Sequence, residues 1–351
     1  MKQPKLLNTA LIILMSFFSI STFAETTSKY LNSSIESLTM DAKGTLYIGK
    51  ERGLSIKEKD TQTVTDYAPN IPHIATLAID ANGTIYGGSN VGFVVGKKDK
   101  SGQYQFQLYS DIIAKVVEGD FDNEVNSVYI DKKGLVYAGG RGLYVIQANS
   151  LLGMHDTYTP FKIGLDSSLV TSLYVDENEI VYAGTQSDGL FIGKRKASGE
   201  FVWVQYAKAS GLKDIVSIYV DQGIIYAGTD NGLFIGKAND KGQYIFSDAE
   251  TNSVLGTKYI STIYAHAGKI YIGTVEWDLT NSYSGLIVGQ SDDKGNHFFS
   301  QINSTTPEDK HITSLSVNDA ADIIYIGTSQ GIITKKISSL NLTSVGGIKT
   351  F

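Results

Sequence analysis

The stretch SIYVDQGIIYAGTDNGLFIGK, residues 217–237, contains the phrase that decides the fold. An apolar run ends in Asp, a turn follows, and a second run closes on Tyr-x-Gly before a short loop and a third run. The tyrosine that opens Tyr-x-Gly marks seven copies: Tyr47, Tyr86, Tyr137, Tyr182, Tyr226, Tyr271 and Tyr325. Repeats of roughly 40–50 residues, written in short runs with alternating apolar positions, are typical of β-propeller blades. We expect an all-β fold: a seven-bladed β-propeller of four-stranded antiparallel blades.

Residues 170–206 illustrate the sequence pattern of one blade, which has four predicted strands that we name A to D in chain order. Several copies turn from A to B through Asp-x-x-Gly, in which Asp caps the turn and Gly supplies a positive φ. The Gly of Tyr-x-Gly is expected to let the neighbouring blade approach closely. An active site is normally singular, whereas a packing solution recurs. The repeated Tyr, Gly, Asp and Ser positions therefore indicate structure rather than catalysis.

The two ends of the repeat region suggest how the ring closes. Residues 28–34 parallel the D-like segments that precede two other A strands, so we expect them to supply the outer strand of the last blade. That closure would remove an exposed sheet edge. The propeller then spans residues 25–337, and residues 338–351 form a C-terminal tail for which packing on the last blade is one option.

Residues 1–24 have the organisation of a secretory signal peptide. Two lysines precede an apolar stretch and a small-residue site, and we place cleavage after Ala24. The alternative, a membrane anchor, would need a longer uninterrupted apolar run, so no membrane insertion is expected. The chain has no Cys, which excludes lipid attachment at the signal site and any disulfide. The sequence thus predicts a periplasmic or secreted protein.

The charge balance narrows the possible partners. The formal net charge is −6, and removing Lys2 and Lys5 with the signal peptide makes it −8. Because nucleic-acid binding depends on clustered positive charge, no nucleic-acid partner is expected.

The repeat residues also carry a resemblance to a known family. The pattern Asp-x-x-Gly-x-[Leu/Ile]-Tyr-x-Gly-Thr-x-x-Gly-Leu resembles the two-component regulator propeller repeat over residues 33–337. The resemblance implies a sensor-like β-propeller, although Tyr replaces the family's frequent Trp and its usual membrane span and kinase are missing. Residues 291–299, SDDKGNHFF, are weakly similar to the Asp-box of sialidase-like propellers, which there is a structural turn.

Tests for catalytic chemistry find no site. A sialidase-like site needs three converging arginines, but Arg195 follows a C strand and belongs on the opposite rim from Arg52 and Arg141. No pair of carboxylates stands out for a glycosidase, and no His spacing matches a metal motif. Residues 118–124, EGDFDNE, begin like a Ca²⁺ loop but fit a solvated acidic loop better. We expect no catalytic residue, no metal and no cofactor.

Departures from the repeat point to one face of the propeller. B–C loops and D–A connections emerge together, and the sixth copy inserts ten residues there, 275–284. Loops on a rigid scaffold concentrate function. The candidate ligand-binding residues on this face are Trp277, Tyr283, Glu276, Asp278, Arg52 and Arg141. An exposed Trp beside acids suits a sugar ring or a protein partner, whereas a Trp folded over the channel mouth would act as a plug.

Two hypotheses of function remain. The first is an exported, non-catalytic propeller that binds a glycan or a protein partner on the loop-rich face. The alternative is a carbohydrate-active propeller enzyme, or a lectin, that acts on a glycan in a cleft of that face.

Overall fold

The structure is a computed structural model that describes residues 33–61, 63–109, 124–147, 161–206, 211–248, 254–275, 284–292, 296–302, 311–340 and 346–348. In chain order the strands are β1 (Ile35–Met40), β2 (Leu46–Lys50), β3 (Arg52–Lys57), β4 (Val64–Pro72), β5 (Ile74–Ile79), β6 (Ile85–Ser89), β7 (Gly92–Lys98), β8 (Tyr104–Tyr109), β9 (Ser127–Ile130), β10 (Leu135–Gln147), β11 (Phe161–Val175), β12 (Ile180–Thr185), β13 (Leu190–Arg195), β14 (Phe201–Tyr206), β15 (Ile215–Asp221), β16 (Ile224–Thr229), β17 (Gly232–Ala238), β18 (Tyr244–Asp248), β19 (Tyr259–His266), β20 (Lys269–Val275), β21 (Leu286–Ser291), β22 (His297–Gln301), β23 (Ile312–Asn318), β24 (Ile323–Thr328), β25 (Gly331–Lys336) and β26 (Gly346–Ile348).

These strands form six antiparallel sheets in which strands adjacent in sequence pair side by side. Three sheets have four strands: β1–β4, β5–β8 and β15–β18. The others are the six-stranded β9–β14, the five-stranded sheet of β19–β22 with β26, and the three-stranded β23–β25. Short 3-10 turns at Asp319–Ala321 and Ile337–Ser339 are the helical elements of the described residues. The all-β prediction is confirmed. No helix in the described ranges has the length and apolar character needed to cross a membrane.

The six-stranded sheet contains two strands that change partner along their length. The first part of β10 pairs with β9, from Val136 to Gly139, and its later part pairs with β11, from Arg141 to Val145. Strand β11 in turn pairs with β12 from Val170 onward.

Neighbouring sheets pack closely at the Gly of Tyr-x-Gly. A Cβ atom added to Gly228 would lie 2.5 Å from the Cγ2 atom of Ile260, which belongs to the next sheet. Only a residue without a side chain fits so close an approach. The predicted reason for this glycine is confirmed. Backbone amides add to the contact: Ile263 donates to Ser217 Oγ across the same boundary at 3.0 Å.

The first and last of these repeats make the same contact with each other. A Cβ atom added to Gly327 would lie 2.8 Å from Ile35 Cγ2, and the hydroxyl of Thr313 donates to the carbonyl of Ile35. Ile332 of β25 packs with Ile35 and Ile48 in one core cluster. The sheet β1–β4 therefore packs directly against the sheet β23–β25. Most of the segment expected to close the ring, residues 28–32, lies outside the described residues.

The structure describes six residues of the C-terminal tail, 338–340 and 346–348. Leu340 packs against the core cluster that contains Ile324 and Ile333 of the sheet β23–β25. The other three described residues are 346–348. They form β26, which pairs antiparallel with β22, for example Ile348 opposite His297. These three residues therefore extend the sheet β19–β22 rather than the sheet β23–β25 that ends the repeat.

The recurring Asp and Tyr have the structural role that their repetition indicates. Asp176 Oδ1 accepts hydrogen bonds from the amides of Asn178 and Ile180 at 2.9 Å, and Tyr182 donates its hydroxyl to Asp176 Oδ2 at 3.3 Å. The sixth copy departs from this pattern, because His266 takes the turn position and the Tyr271 hydroxyl is buried without a hydrogen-bond partner. These bonds hold the A–B hairpins and leave function to other positions.

Candidate ligand-binding site

A cleft of about 500 Å³ opens between the first two four-stranded sheets. Three parts of the chain line it: the turn between β2 and β3 with the start of β3, the end of β4 with the residue that joins it to β5, and the turn between β6 and β7. Its lining residues are Glu51, Arg52, Pro69, Asn70, Pro72, His73 and Asn90. Here two B–C loops and one D–A connection do lie on one face, as the sequence predicted. Volumes of roughly 300–1,000 Å³ are common for small-molecule sites.

The backbone of the cleft is fixed by a bond between two of these connections. The amide of His73 donates to the carbonyl of Glu51 at 2.7 Å, and His73 adopts a φ of 48°. Arg52 pairs with Pro72 across β3 and β4, and the register shifts before Leu54. At that shift Gly53 has a φ of +69°, and a Cβ atom there would lie 2.4 Å from the carbonyl oxygen of Tyr67. Glycine is required at this position.

In the loop between β2 and β3, an ion pair replaces the hydroxyl that closes other B–C loops. In the loop between β16 and β17, Thr229 donates its hydroxyl to the Gly232 carbonyl at 2.9 Å. Lys50 takes the position of that Thr, is 8% exposed, and places Nζ 2.7 Å from Asp66 Oδ1. Ser55 Oγ lies 2.5 Å from the same oxygen. The bonds from Lys50 and then Ser55 hold the pKa of Asp66 below its ordinary value.

The side chains at the rim of the cleft are left without partners. Glu51, Arg52, Asn70 and Asn90 are exposed, and none of their side chains forms a hydrogen bond or ion pair with a described residue. The rim thus offers one guanidinium, one carboxylate and two amides to solvent.

His73 forms the back of the cleft. Its Nε2 lies 3.6 Å from Glu36 Oε2, and its Nδ1 is buried without a hydrogen-bond partner. The orientation of the ring is therefore set by Glu36 and by the backbone bond to Glu51.

The structure places the other predicted residues as follows. Arg141 has an exposed side chain and lies opposite Leu169, across β10 and β11, so the cleft does not include it. Trp277, Tyr283, Glu276 and Asp278 lie outside the described residues.

The two ends of the ten-residue insertion are described. Gly285 donates its amide to Thr274 Oγ1 at 2.8 Å, and the Thr274 hydroxyl donates to the Gly285 carbonyl at 3.0 Å. The base of this insertion therefore has the same Thr–Gly closure as the short loop at Thr229 and Gly232.

Sequence reasoning missed His73, Asn70 and Asn90. The connection between β4 and β5 is short and carries no motif, and a lone His has no metal spacing to mark it. The usable signal is the loss of Ser or Thr at Lys50, because it shows that this loop departs from its equivalents. Within the described part of the chain, no three His, Asp or Glu side chains gather as metal ligands.

No protein-family model and no curated protein matches the chain in sequence. Solved structures do match its fold. The extracellular domain of the hybrid two-component system BT4673 from B. thetaiotaomicron aligns with a TM-score of 0.62 at 20% identity, over 86% of this chain and 38% of that one. This chain therefore spans less than two thirds of that protein.

Two other solved structures are of different classes. Virginiamycin B lyase from Staphylococcus aureus aligns with a TM-score of 0.62 at 14% identity, over 88% of this chain and 96% of that one. PorZ, a surface component of the type-IX secretion system of Porphyromonas gingivalis, aligns at 0.59 and 11% identity, over 91% and 39%. Identities this low establish the fold alone. At the level of fold, the resemblance to two-component regulator propellers is confirmed: the chain shares a β-propeller fold with the extracellular domains of such systems.

Proposed function

We propose that this chain is an exported, non-catalytic β-propeller of seven blades that binds a ligand or a protein partner on the face of its B–C loops and D–A connections. The observation that carries the proposal is the cleft at Arg52. Its backbone is held by the bond from His73 to Glu51, yet no described residue pairs with the charged side chains of its rim. Exposed polar groups that a scaffold holds without partners are suited to binding.

The strand pairing supports the proposed count of seven blades. In the six-stranded sheet, β9, the two parts of β10 and the first part of β11 make one four-stranded unit. The rest of β11 with β12, β13 and β14 makes a second unit. Adding the other five sheets gives seven units, in agreement with the seven Tyr-x-Gly copies.

Ring closure by the N-terminal strand is part of the proposal. The contact of Ile35 with Gly327 supports closure between the first and last blades. Residues 28–34 would then cover the outer edge of β25. Deleting them should lower the melting temperature and promote association, because an uncovered edge pairs with other chains. Unchanged melting and an unchanged oligomeric state would contradict this closure.

Export through the signal peptide is also proposed. It is supported by the leader-like pattern of residues 1–24 and by the likeness in fold to extracellular domains. Mass spectrometry of the protein recovered from a bacterial host should find Glu25 at its N-terminus. Recovery of the uncleaved chain in the membrane fraction would support the anchor instead.

A test of the binding face compares the two tryptophans of the chain. Trp203 in β14 lies against Gly193, where a Cβ atom would come within 2.4 Å of the indole, and its ring stacks on Phe201 at 5.6 Å. We expect Trp203→Ala to lower stability. We expect Trp277→Ala, in the insertion between β20 and β21, to weaken binding about 30-fold while stability changes little.

The binding assay is a glycan array and a pull-down with the mature protein, extended to Arg52→Ala and Arg141→Ala. A Trp277→Ala protein that unfolds and keeps its affinity would show that this Trp is a plug. Tyr283, Glu276 and Asp278 belong to the same proposed surface. A carbohydrate-active enzyme would instead release new reducing ends from a bound glycan, and detecting them would replace the non-catalytic proposal.

A further inference from the structure

The cleft at Arg52 carries two opposite charges that do not pair with each other. Glu51 and Arg52 are adjacent in sequence, both line the cleft, and neither side chain makes an ion pair with a described residue. Lys50, the residue before them, pairs with Asp66 at 2.7 Å. The loop thus neutralises its inner charge and leaves the two outer charges to solvent.

This arrangement selects among ligand chemistries by charge. A neutral sugar could hydrogen-bond to both side chains through its hydroxyls but would supply neither with a counter-charge. An anion would pair with Arg52 but would be repelled by Glu51. Glu36 adds a second carboxylate, 3.6 Å from His73. A simple cation would leave Arg52 unpaired. A ligand with both charges a few ångströms apart satisfies both side chains.

The geometry points to a free α-amino acid as the ligand of this cleft, bound as its zwitterion with the carboxylate on Arg52 and the ammonium on Glu51. The inference rests on the proposed binding function and names the ligand class for one part of the binding face. A guanidinium presents two parallel N–H donors that match a carboxylate. A carboxylate such as that of Glu51 only accepts, and an ammonium only donates.

The remaining walls suit the rest of such a molecule. The amides of Asn70 and Asn90 each offer donors and an acceptor, and no described residue uses them. Pro69 and Pro72 add apolar surface against which carbon atoms can pack. A cleft of about 500 Å³ holds an amino acid together with some bridging water.

The experiment is isothermal titration of the mature protein with each of the standard L-amino acids. The tightest binder is then repeated as its N-acetyl derivative, which lacks the ammonium, and as its methyl ester, which lacks the carboxylate. We expect at least one amino acid to bind, and each derivative to bind about tenfold or more weakly, because one charged hydrogen-bonding partner is lost. Arg52→Gln and Glu51→Gln should cause losses of the same size.

The matched control is Arg195→Gln, which removes an exposed arginine whose Nε bonds only to the nearby Gly199 carbonyl at 3.4 Å. This variant should bind like the wild type. The inference is overturned if no amino acid binds, if the ester and the N-acetyl form bind as well as the parent, or if the Arg52 and Glu51 variants keep full affinity. Binding of a glycan or a protein at the same face, without amino-acid binding, would overturn the ligand class and leave the proposed function intact.

Discussion

The residue that precedes β5 and the residue that precedes β15 have the same backbone conformation and different side chains. In the first, His73 has a φ of 48° and donates its amide to the Glu51 carbonyl at 2.7 Å. In the second, Asp214 has a φ of 49° and donates to the Gln186 carbonyl at 2.9 Å. We call the connection at His73, together with its adjoining B–C loops, the His73 frame. The connection at Asp214, together with its adjoining B–C loops, is the Asp214 frame.

The two frames differ in whether they satisfy their own charges. Within the Asp214 frame, Ser168 donates its hydroxyl to Asp188 Oδ2 at 2.7 Å, and Lys213 Nζ lies 3.8 Å from Asp214 Oδ2. In the His73 frame, the Arg52 guanidinium has no partner among the described residues. Among the described residues, the His73 frame therefore leaves a guanidinium and a carboxylate available to a ligand.

The comparison shows which level of structure holds the function. Strand pairing and the loop-to-connection bond repeat because they solve a packing problem that every blade shares. A few side chains that differ from the repeat pattern have no partner among the described residues and are available to a ligand. In this way one fold can host unrelated functions. The departures from the repeat are thus the positions to mutate.

The largest expected effect on stability comes from His297. Its contribution must be removed before the pH dependence of the two frames can be compared. His297, which opens β22 at the end remote from the loop-rich face, is fully buried and places Nε2 3.1 Å from the Tyr226 hydroxyl. Burial, and then Lys237, lowers the pKa of His297 to about 4 from 6.5. The folded protein therefore prefers the neutral ring. Its stability is full above pH 6.5 and falls as the pH drops toward 4, by roughly 3 kcal/mol.

Urea unfolding at pH 7 and pH 4 measures this loss. The control is His297→Tyr, because Tyr104 and Tyr244 are the rings that open β8 and β18. The variant should lack most of the loss between pH 6.5 and 4. If it unfolds with the same pH dependence as the wild type, His297 is not the group responsible.

The next largest effect is expected from a substitution at Gly53. It tests whether the backbone of the His73 frame is as rigid as its contacts indicate. In Gly53→Ala, the new Cβ would lie 2.4 Å from the Tyr67 carbonyl oxygen and 2.7 Å from that of Ala68, at a φ of +69°. We expect a loss of about 2 kcal/mol or more in the free energy of unfolding. Gly223→Ala is the control: φ is +77° but no atom lies within 4 Å, so only about 1 kcal/mol of backbone strain is expected. Equal losses would show that the crowding at Gly53 relaxes.

The sequence predicted the repeated features of the strands and turns well, because seven copies show which residues recur at each position. Strand order, the Asp turn at Asp176 and the close approach at Gly228 all follow from residues that recur. Each is a local rule of turn chemistry or packing, and each can be read without knowing the partner blade.

The candidate site was predicted only in part. Of the two arginines proposed for the binding face, Arg52 lines the cleft and Arg141 lies outside it. The cleft needs His73 and Asn90, which belong to different loops and carry no motif. Their meeting depends on how two blades are juxtaposed, and a single copy of the repeat does not encode that. Trp277 stays a prediction.

A smaller effect on stability is expected from Asp66, which pairs with Lys50 in the His73 frame. Lys50, and then Ser55, lower the pKa of Asp66, so this carboxylate stabilises the fold above its unfolded value of 3.8 and loses that contribution as the pH falls through its folded value. In the His297→Tyr background, Asp66→Asn should cost about 1 kcal/mol at pH 6, because Asp66 is 66% exposed and water screens the pair. At pH 2.5 most of this cost should disappear. A cost that does not depend on pH would assign it to packing.

The smallest effect concerns the Asp214 frame, where like charges meet. Burial, and then Asp214, raise the pKa of Asp230, so the folded state prefers the protonated carboxyl. That preference stabilises the fold at low pH and is lost as the pH rises through the raised value. Asp230→Asn should therefore increase stability at pH 7, by only about 0.3 kcal/mol because the side chain is exposed. It should change nothing at pH 2.5.

Asn90 takes the same place in the His73 frame that Asp230 takes in the Asp214 frame, since each follows the Ser or Thr that closes its loop. Asn90→Asp is thus the reciprocal exchange. It brings a carboxylate to a cleft where Arg52 is unpaired, so we expect no loss of stability at pH 7 but weaker binding of any carboxylate ligand, because the new charge competes for the guanidinium. Urea unfolding and titration of both variants measure the two effects. If Asn90→Asp destabilises the protein as much as Asp230→Asn stabilises it, the two frames respond alike to charge, and the distinction between a satisfied frame and an available one is wrong.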